Sequence, residues 1–130
     1  MSPLSPKAQE LKAELDKLID AASNFEFDIL KTIYHDDMKI YMIGEDNELH
    51  ISDKAGFIDH VTKATEAAVK PNIWAKYHSV EADDTNGHIV ISRKVNLTGT
   101  ERLVTLSIDF VFEDSRWQIT REIIVVQKGN

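Results

Sequence analysis

Arg93 and Arg121 each interrupt a run of apolar side chains that otherwise recur at every second position. Ile89, Ile91, Arg93 and Val95 share one side of an expected strand, and Trp117, Ile119, Arg121, Ile123 and Val125 share one side of another. A guanidinium in such company needs an anionic partner, because burying an uncompensated charge is costly. Two of them in one hollow would hold a ligand carboxylate or phosphate by bidentate contacts. The plainer alternative puts one or both at a strand end, reaching water or pairing with Glu122 or Asp59. Trp74, His78 and Tyr41 are placed to line the mouth of the same hollow. His78 is the natural acid or base among them, since imidazole titrates near neutrality, although a lone strand histidine also serves structural roles. Tyr77 has the opposite parity and is expected behind the sheet. Met42, Phe57 and Phe110, with Met38 and Phe112, are core where the interior closes and ligand wall where it does not. His35, Asp36 and Asp37 carry metal-capable atoms. Consecutive residues at one corner converge poorly on an ion, so they read as turn and capping groups and no metal or other cofactor is expected. Asp109 and Glu122 fall on the back of the sheet, at its rim or in a pair.

The elements that must position these groups are legible in turn. Ser5-Pro6 supplies a capping hydroxyl and a proline whose missing N–H costs nothing at a helix start. Ala8, Leu11, Leu15, Leu18 and Ala22 then form one apolar stripe, predicting a helix to about Ala22. Ser23-Asn24-Phe25-Glu26 resembles a capping box for a shorter helix offering Phe27, Leu30, Ile33 and Tyr34 for burial. His35 to Asp37 ends it as a polar corner, Met38 to Ile43 reads as a strand and Gly44 to Asn47 as a turn. Ser52 is the expected cap of a third helix, Asp53 to about Val69, closed by Pro71. Beyond it come four strands: Trp74 to Ala82, His88 to Leu97, Arg102 to Phe112 and Trp117 to Gln127. Their turns are Asp83 to Gly87, with a strong Asn-Gly hairpin signal, Thr98 to Thr100, and Glu113 to Arg116. Helices first and then a long antiparallel meander imply one curved sheet wrapped around a helical lid, a shape that holds a pocket.

Composition narrows the function classes. The 130 residues suit one domain spanning 1–130, with a core of ordinary size. A net charge of -7, without basic clusters, argues against nucleic acid and anionic membrane surfaces as partners. The lack of cysteine excludes disulfides, thiolate metal sites and a thiol nucleophile. No apolar run is long enough for a signal peptide core or a bilayer span, so a cytoplasmic location is the default expectation.

Three stretches carry a family resemblance: Ile33-Tyr34-His35-Asp36-Asp37-Met38-Lys39-Ile40, the helix opened by Ser52-Asp53-Lys54-Ala55-Gly56-Phe57, and the ending Phe110-Val111-Phe112 with Arg116-Trp117-Gln118-Ile119. From about Leu11 to Gln127 the chain resembles the nuclear transport factor 2-like superfamily, also called SnoaL-like or ketosteroid-isomerase-like. The resemblance implies an α+β fold: a cone-shaped, curved antiparallel sheet wrapped around N-terminal helices as a cystatin-like barrel, usually dimeric, with a pocket between sheet and helices. It also implies a range of roles, from isomerases, dehydratases, cyclases and epoxide hydrolases to noncatalytic binding modules. The steroid isomerase machinery does not carry over. Counted from Asp36-Asp37, its base falls on Met42, its tyrosine donor on Leu18, and its acidic donor on Asp109 or Ile108. Proton abstraction beside a carbonyl needs a base in reach and a donor on the oxygen. The Arg-x-Asp pair of limonene epoxide hydrolases is also absent from every strand.

The leading expectation is therefore a small protein binding an apolar or amphipathic molecule, anionic ones included, through Arg93, Arg121, Trp74, Met42, Phe57 and Phe110. It would dimerise through the moderately apolar back of the sheet. An enzyme using His78 or Tyr41 as acid or base, with Arg93 or Arg121 stabilising an anion, is the first rival. A noncatalytic dimerising interaction module is the second.

Overall fold

A computed structural model describes residues 5–23, 27–59, 74–96 and 101–127. Helix α1 (Pro6–Ser23) starts as its sequence dictates: the Ser5 hydroxyl accepts the Ala8 N–H at 3.2 Å. Its stripe of Ala8, Leu11, Leu15 and Leu18 is buried, joined by Ile19 and Ala21. Helix α2 (Phe27–Ile33) ends earlier than its apolar pattern suggests, because Tyr34 already begins strand β1 (Tyr34–Ile43). Of the expected capping box, Ser23 is the last residue of α1, and Asn24, Phe25 and Glu26 lie outside the described residues.

The remaining strands are β2 (Leu49–Asp53), β3 (Ala75–Ala82), β4 (Asn86–Asn96), β5 (Glu101–Glu113) and β6 (Arg116–Val126). Strand β2 occupies positions expected to be loop. Residues 54–59 follow it directly as helix, and the cap is Asp53 rather than Ser52, its carboxylate accepting the Gly56 N–H at 2.8 Å. The rest of that expected helix and the expected turn at Thr98 to Thr100 fall outside the described residues. The Asn-Gly turn is also displaced. Ala82 pairs with Gly87, so Asn86 and Gly87 open β4, while the Asp83 carboxylate accepts the Thr85 and Asn86 N–H groups and shapes the bend. Gly87 also lies under α1: a Cβ there would come 2.5 Å from Leu11 Cδ2, so a larger residue would have to displace that buried side chain.

The strands form one sheet in the order β2-β1-β6-β5-β4-β3. Neighbours are antiparallel except β1 and β6, which are parallel. This corrects the expected cone-shaped antiparallel barrel. The sheet is mixed and open, neither closed nor strongly curled, and it wraps the N-terminal helices. The reason is topological. The β1–β2 hairpin docks beside the last strand, and the chain then re-enters at the opposite edge as β3, leaving β2 and β3 apart.

The core lies between α1, α2 and one face of the sheet, with Ile89, Ile91, Val104, Leu106, Ile108, Ile119 and Ile124 at its centre. The sheet has three irregularities among the described residues: one in β1, between Tyr34 and Lys39, and two that decide which side chains of β6 and β3 face the core. The β5–β6 register shifts between Asp109 and Phe110, where Asp109 pairs with Arg121 but Phe110 pairs with Ile119. Thr120 is thereby the extra residue, its hydroxyl bonded to the Asp109 carbonyl, and the strand changes face there. Trp117 and Ile119 point to the helices before it; Glu122, Ile124 and Val126 do so after it, leaving Arg121, Ile123 and Val125 outside. A second shift, between Tyr77 and Ser79, makes His78 the extra residue of β3.

Candidate functional site

The two bulges reassign the chemistry-bearing residues. Arg121 is exposed on the outer face, with its guanidinium carbon 5.9 Å from the ring centroid of Tyr41, which sits on the same face. His78 is exposed, with Nε2 2.7 Å from the Ser92 hydroxyl. Trp74 lies just before β3, half-exposed, under the Lys94 ammonium at 5.2 Å. Arg93, Met42, Phe57 and Phe110 belong to the helix-facing side, where Met42 and Phe57 pack against the core. Phe110 is buried at the opposite end from Arg93: it pairs with Gly87, whereas Arg93 pairs with Val104. The structure thus joins Arg121 to Tyr41, but separates both from Arg93 and all three from His78.

What it assembles around Arg93 is a set that the alternation of the sequence does not reveal. Glu122, expected on the back of the sheet, is inside and 3% exposed. Tyr34, 4% exposed, donates its phenolic O–H to Glu122 Oε1 at 2.9 Å. The ring of Phe57 meets that of Tyr34 edge-on at 5.2 Å. Tyr77 also turns toward the helices, and its hydroxyl donates to Asp16 of α1 at 2.6 Å, with Lys12 over its ring. The one forward signal was the pairing of a strand glutamate with an arginine, which the sequence offered without the geometry.

The electrostatics follow from burial. Desolvation pushes the Glu122 carboxyl up to about 7, against the Tyr34 hydrogen bond and the Arg93 charge, which both hold it down. Tyr34 is raised well above the ordinary phenol range by its own burial and by the Glu122 carboxylate. Burial lowers Arg93, opposed by Tyr34, Glu122 and Tyr77. Near neutrality the set therefore holds a phenol fixed as donor, a guanidinium whose charge acts on it, and a carboxyl able to gain or lose a proton. Those are the parts needed to hold an anion and exchange one proton beside it.

Two hollows lie elsewhere. One of about 210 Å³ sits between α1, α2 and the start of β6, beside Arg116 and Trp117. A shallow one of about 700 Å³ lies over the start of β4, bordered by His35, His88, Asp109 and Glu113. His88 Nε2 is 2.7 Å from the Ser107 hydroxyl, and the His35 ring is 3.5 Å from Glu113. Among the described residues no three His, Asp or Glu side chains are grouped to hold a metal ion, and no helix is long and apolar enough to cross a membrane.

No family model matches the chain, and no curated protein does. Solved structures do. An NTF2-like protein of unknown function from Shewanella baltica is 14% identical with a TM-score of 0.74, over 96% of this chain and 99% of that one. Another from Silicibacter pomeroyi is 15% identical, TM-score 0.70, over 90% and 92%. The beta subunit of the benzoate 1,2-dioxygenase from Burkholderia mallei is 14% identical, TM-score 0.67, over 98% and 93%. At such identities the likeness is one of architecture: this chain has the fold of the NTF2-like proteins it resembles.

Proposed function

We propose that the chain binds a small apolar or amphipathic molecule carrying an acidic group on the helix-facing side of its sheet. Arg93 anchors the acid, and Met42, Phe57 and the ring of Tyr34 offer apolar contact. The observation that carries this reading is the buried Tyr34–Glu122 pair within charge reach of Arg93. A core serving stability alone gains little from such a set, because ion pairs cost more to desolvate than well-packed apolar residues. The test is a thermal-shift panel of monocarboxylates of increasing chain length. A bound member should raise Tm in the wild type, as any ligand of the native state does, and Arg93→Leu should abolish the rise. A flat response across the panel sinks the proposal. His78, Tyr41 and Arg121 take no part in it, since they stand on the outer face.

A specific observation favours a second reading that is compatible with the first: a homodimer formed through the outer face. Leu49 (55% exposed), Ile51 (58%), Ile123 (37%) and Val125 (41%) are apolar, lie on that face, and come from strands β2 and β6, on either side of β1. Such a patch is suited to a second copy of the same sheet. One structure with the same fold is itself a subunit of a larger enzyme, which accords with an assembly role.

A further inference from the structure

Strand register arranges the outer face over β2, β1 and β6 in three levels. Tyr41 lies between Ile51 of β2 and Ile123 of β6, and Ile43 lies between Leu49 and Val125. One step the other way, Lys39 lies between Asp53 and Arg121. Two levels are therefore apolar and the third is charged, with an exposed acid on β2 and an exposed cation on β6. Among the described residues no carboxylate is in ion-pair reach of Arg121, whose guanidinium rests near the Tyr41 ring instead. Asp53 Oδ1 accepts the Gly56 N–H, and a carboxylate can accept at both oxygens.

Strands β2 and β6 thus match in their apolar positions and oppose each other in charge, on either side of β1. That pattern is self-complementary under one symmetry operation. A two-fold axis along β1, between two sheets stacked face to face, exchanges β2 with β6 and keeps each level opposite itself. Leu49 then meets Val125 of the second copy, Ile51 meets Ile123, and Asp53 meets Arg121. An axis across the strands at Tyr41 would reverse the levels instead. It would set Asp53 over Leu49 and Arg121 over Val125, covering each charge with an apolar side chain, which is costly. We infer that the chain pairs with a second copy about an axis along β1, and that two Arg121–Asp53 ion pairs between the copies fix the register of the seam. Lys39 falls on the axis, where its long stem lets the charge reach water. This rests on the homodimer reading above and adds to it an orientation and the polar contact that selects it.

The chain has no cysteine, so introduced thiols report proximity without background. Ile51→Cys and Ile123→Cys, each in the full chain, are oxidised separately and as a mixture. The mixture should give a disulfide-linked dimer, and the link should be lost in either variant alone, because a disulfide forms only where the two Cβ atoms come close. A second experiment reads the charges by sedimentation velocity. Arg121→Glu and Asp53→Lys should each shift the wild-type dimer to monomer by setting like charges face to face. Mixing these two variants should restore the dimer, since every acid then faces a cation again, a recovery that an unfolded copy cannot give. Ile51→Cys that links to itself as readily as to Ile123→Cys overturns the inference and leaves the homodimer reading standing. A wild-type dimer with no mixed disulfide, or with no recovery on mixing the charge variants, does the same. A monomeric wild type overturns both.

Discussion

Glu122 carries the largest consequence of any single residue in this chain. Its carboxyl is 3% exposed and, with its proton, held to about 7. An unfolded glutamate loses that proton near 4.5. Between those values the native state binds more protons than the unfolded one, so this group's contribution to stability is fully present below about 4.5 and is lost as pH rises through about 7. The shift corresponds to about 3 kcal/mol across that window. Denaturant unfolding of wild type and Glu122→Gln at a series of pH values should show the difference: the wild type weakens with rising pH relative to the variant. Parallel curves would mean that Glu122 is not the buried proton holder described here. The residue was visible in the sequence as an acid facing away from the apolar set of β6, but its placement was not. The extra residue at Thr120 shifts parity by one, and simple alternation carries no mark of where such a shift falls.

At the scale of elements, the contact between α1 and β4 is tight enough to be tested by one methyl group. Gly87→Ala places a Cβ against Leu11 and should destabilise by about 1–3 kcal/mol, with part of the loss recovered by also trimming Leu11 to Val. If the single variant unfolds at the wild-type denaturant midpoint, the approach is looser than described. The β5–β6 turn offers a change of opposite sign. Asp114 and Ser115 have φ of 55° and 62°, a left-handed geometry that disfavours residues with a side chain. Ser115→Gly should raise stability by about 1 kcal/mol, read from the same denaturation curves. Helix α1 was legible because its cap and its stripe are local signals of different kinds that agree. Strand β2 was not, because Leu49 and Ile51 point to the outer face of an edge strand and only five residues are involved.

For the whole molecule, the open sheet leaves a face whose two halves differ. Over β2, β1 and β6 it presents Leu49, Ile51, Ile123 and Val125. Over β3, β4 and β5 it presents His78, Ser92, Thr105 and His88, partly linked to one another by hydrogen bonds. A second copy covering the apolar half should give a dimer in sedimentation velocity. Ile51→Lys combined with Val125→Lys should shift it to monomer while leaving the circular dichroism spectrum unchanged. A monomeric wild type at micromolar concentration would remove the dimer reading without touching the cluster around Arg93, which lies on the other side of the sheet.

Composition, capping residues and alternation are short-range properties, and they were sufficient for α1, for the meander from Ala75 onward, and for Arg93 as an inward cation on β4. Three things required the folded chain. The parallel seating of β1 against β6 joins residues about eighty positions apart, a pairing no local pattern encodes. The same seating keeps the sheet open where a barrel was expected. Finally, one bulge turns Glu122 inward, where it meets Tyr34, while Tyr41, His78 and Arg121 end up on the outer face. Which side chains face each other across a sheet depends on register, and register is fixed by the sum of contacts along several strands at once.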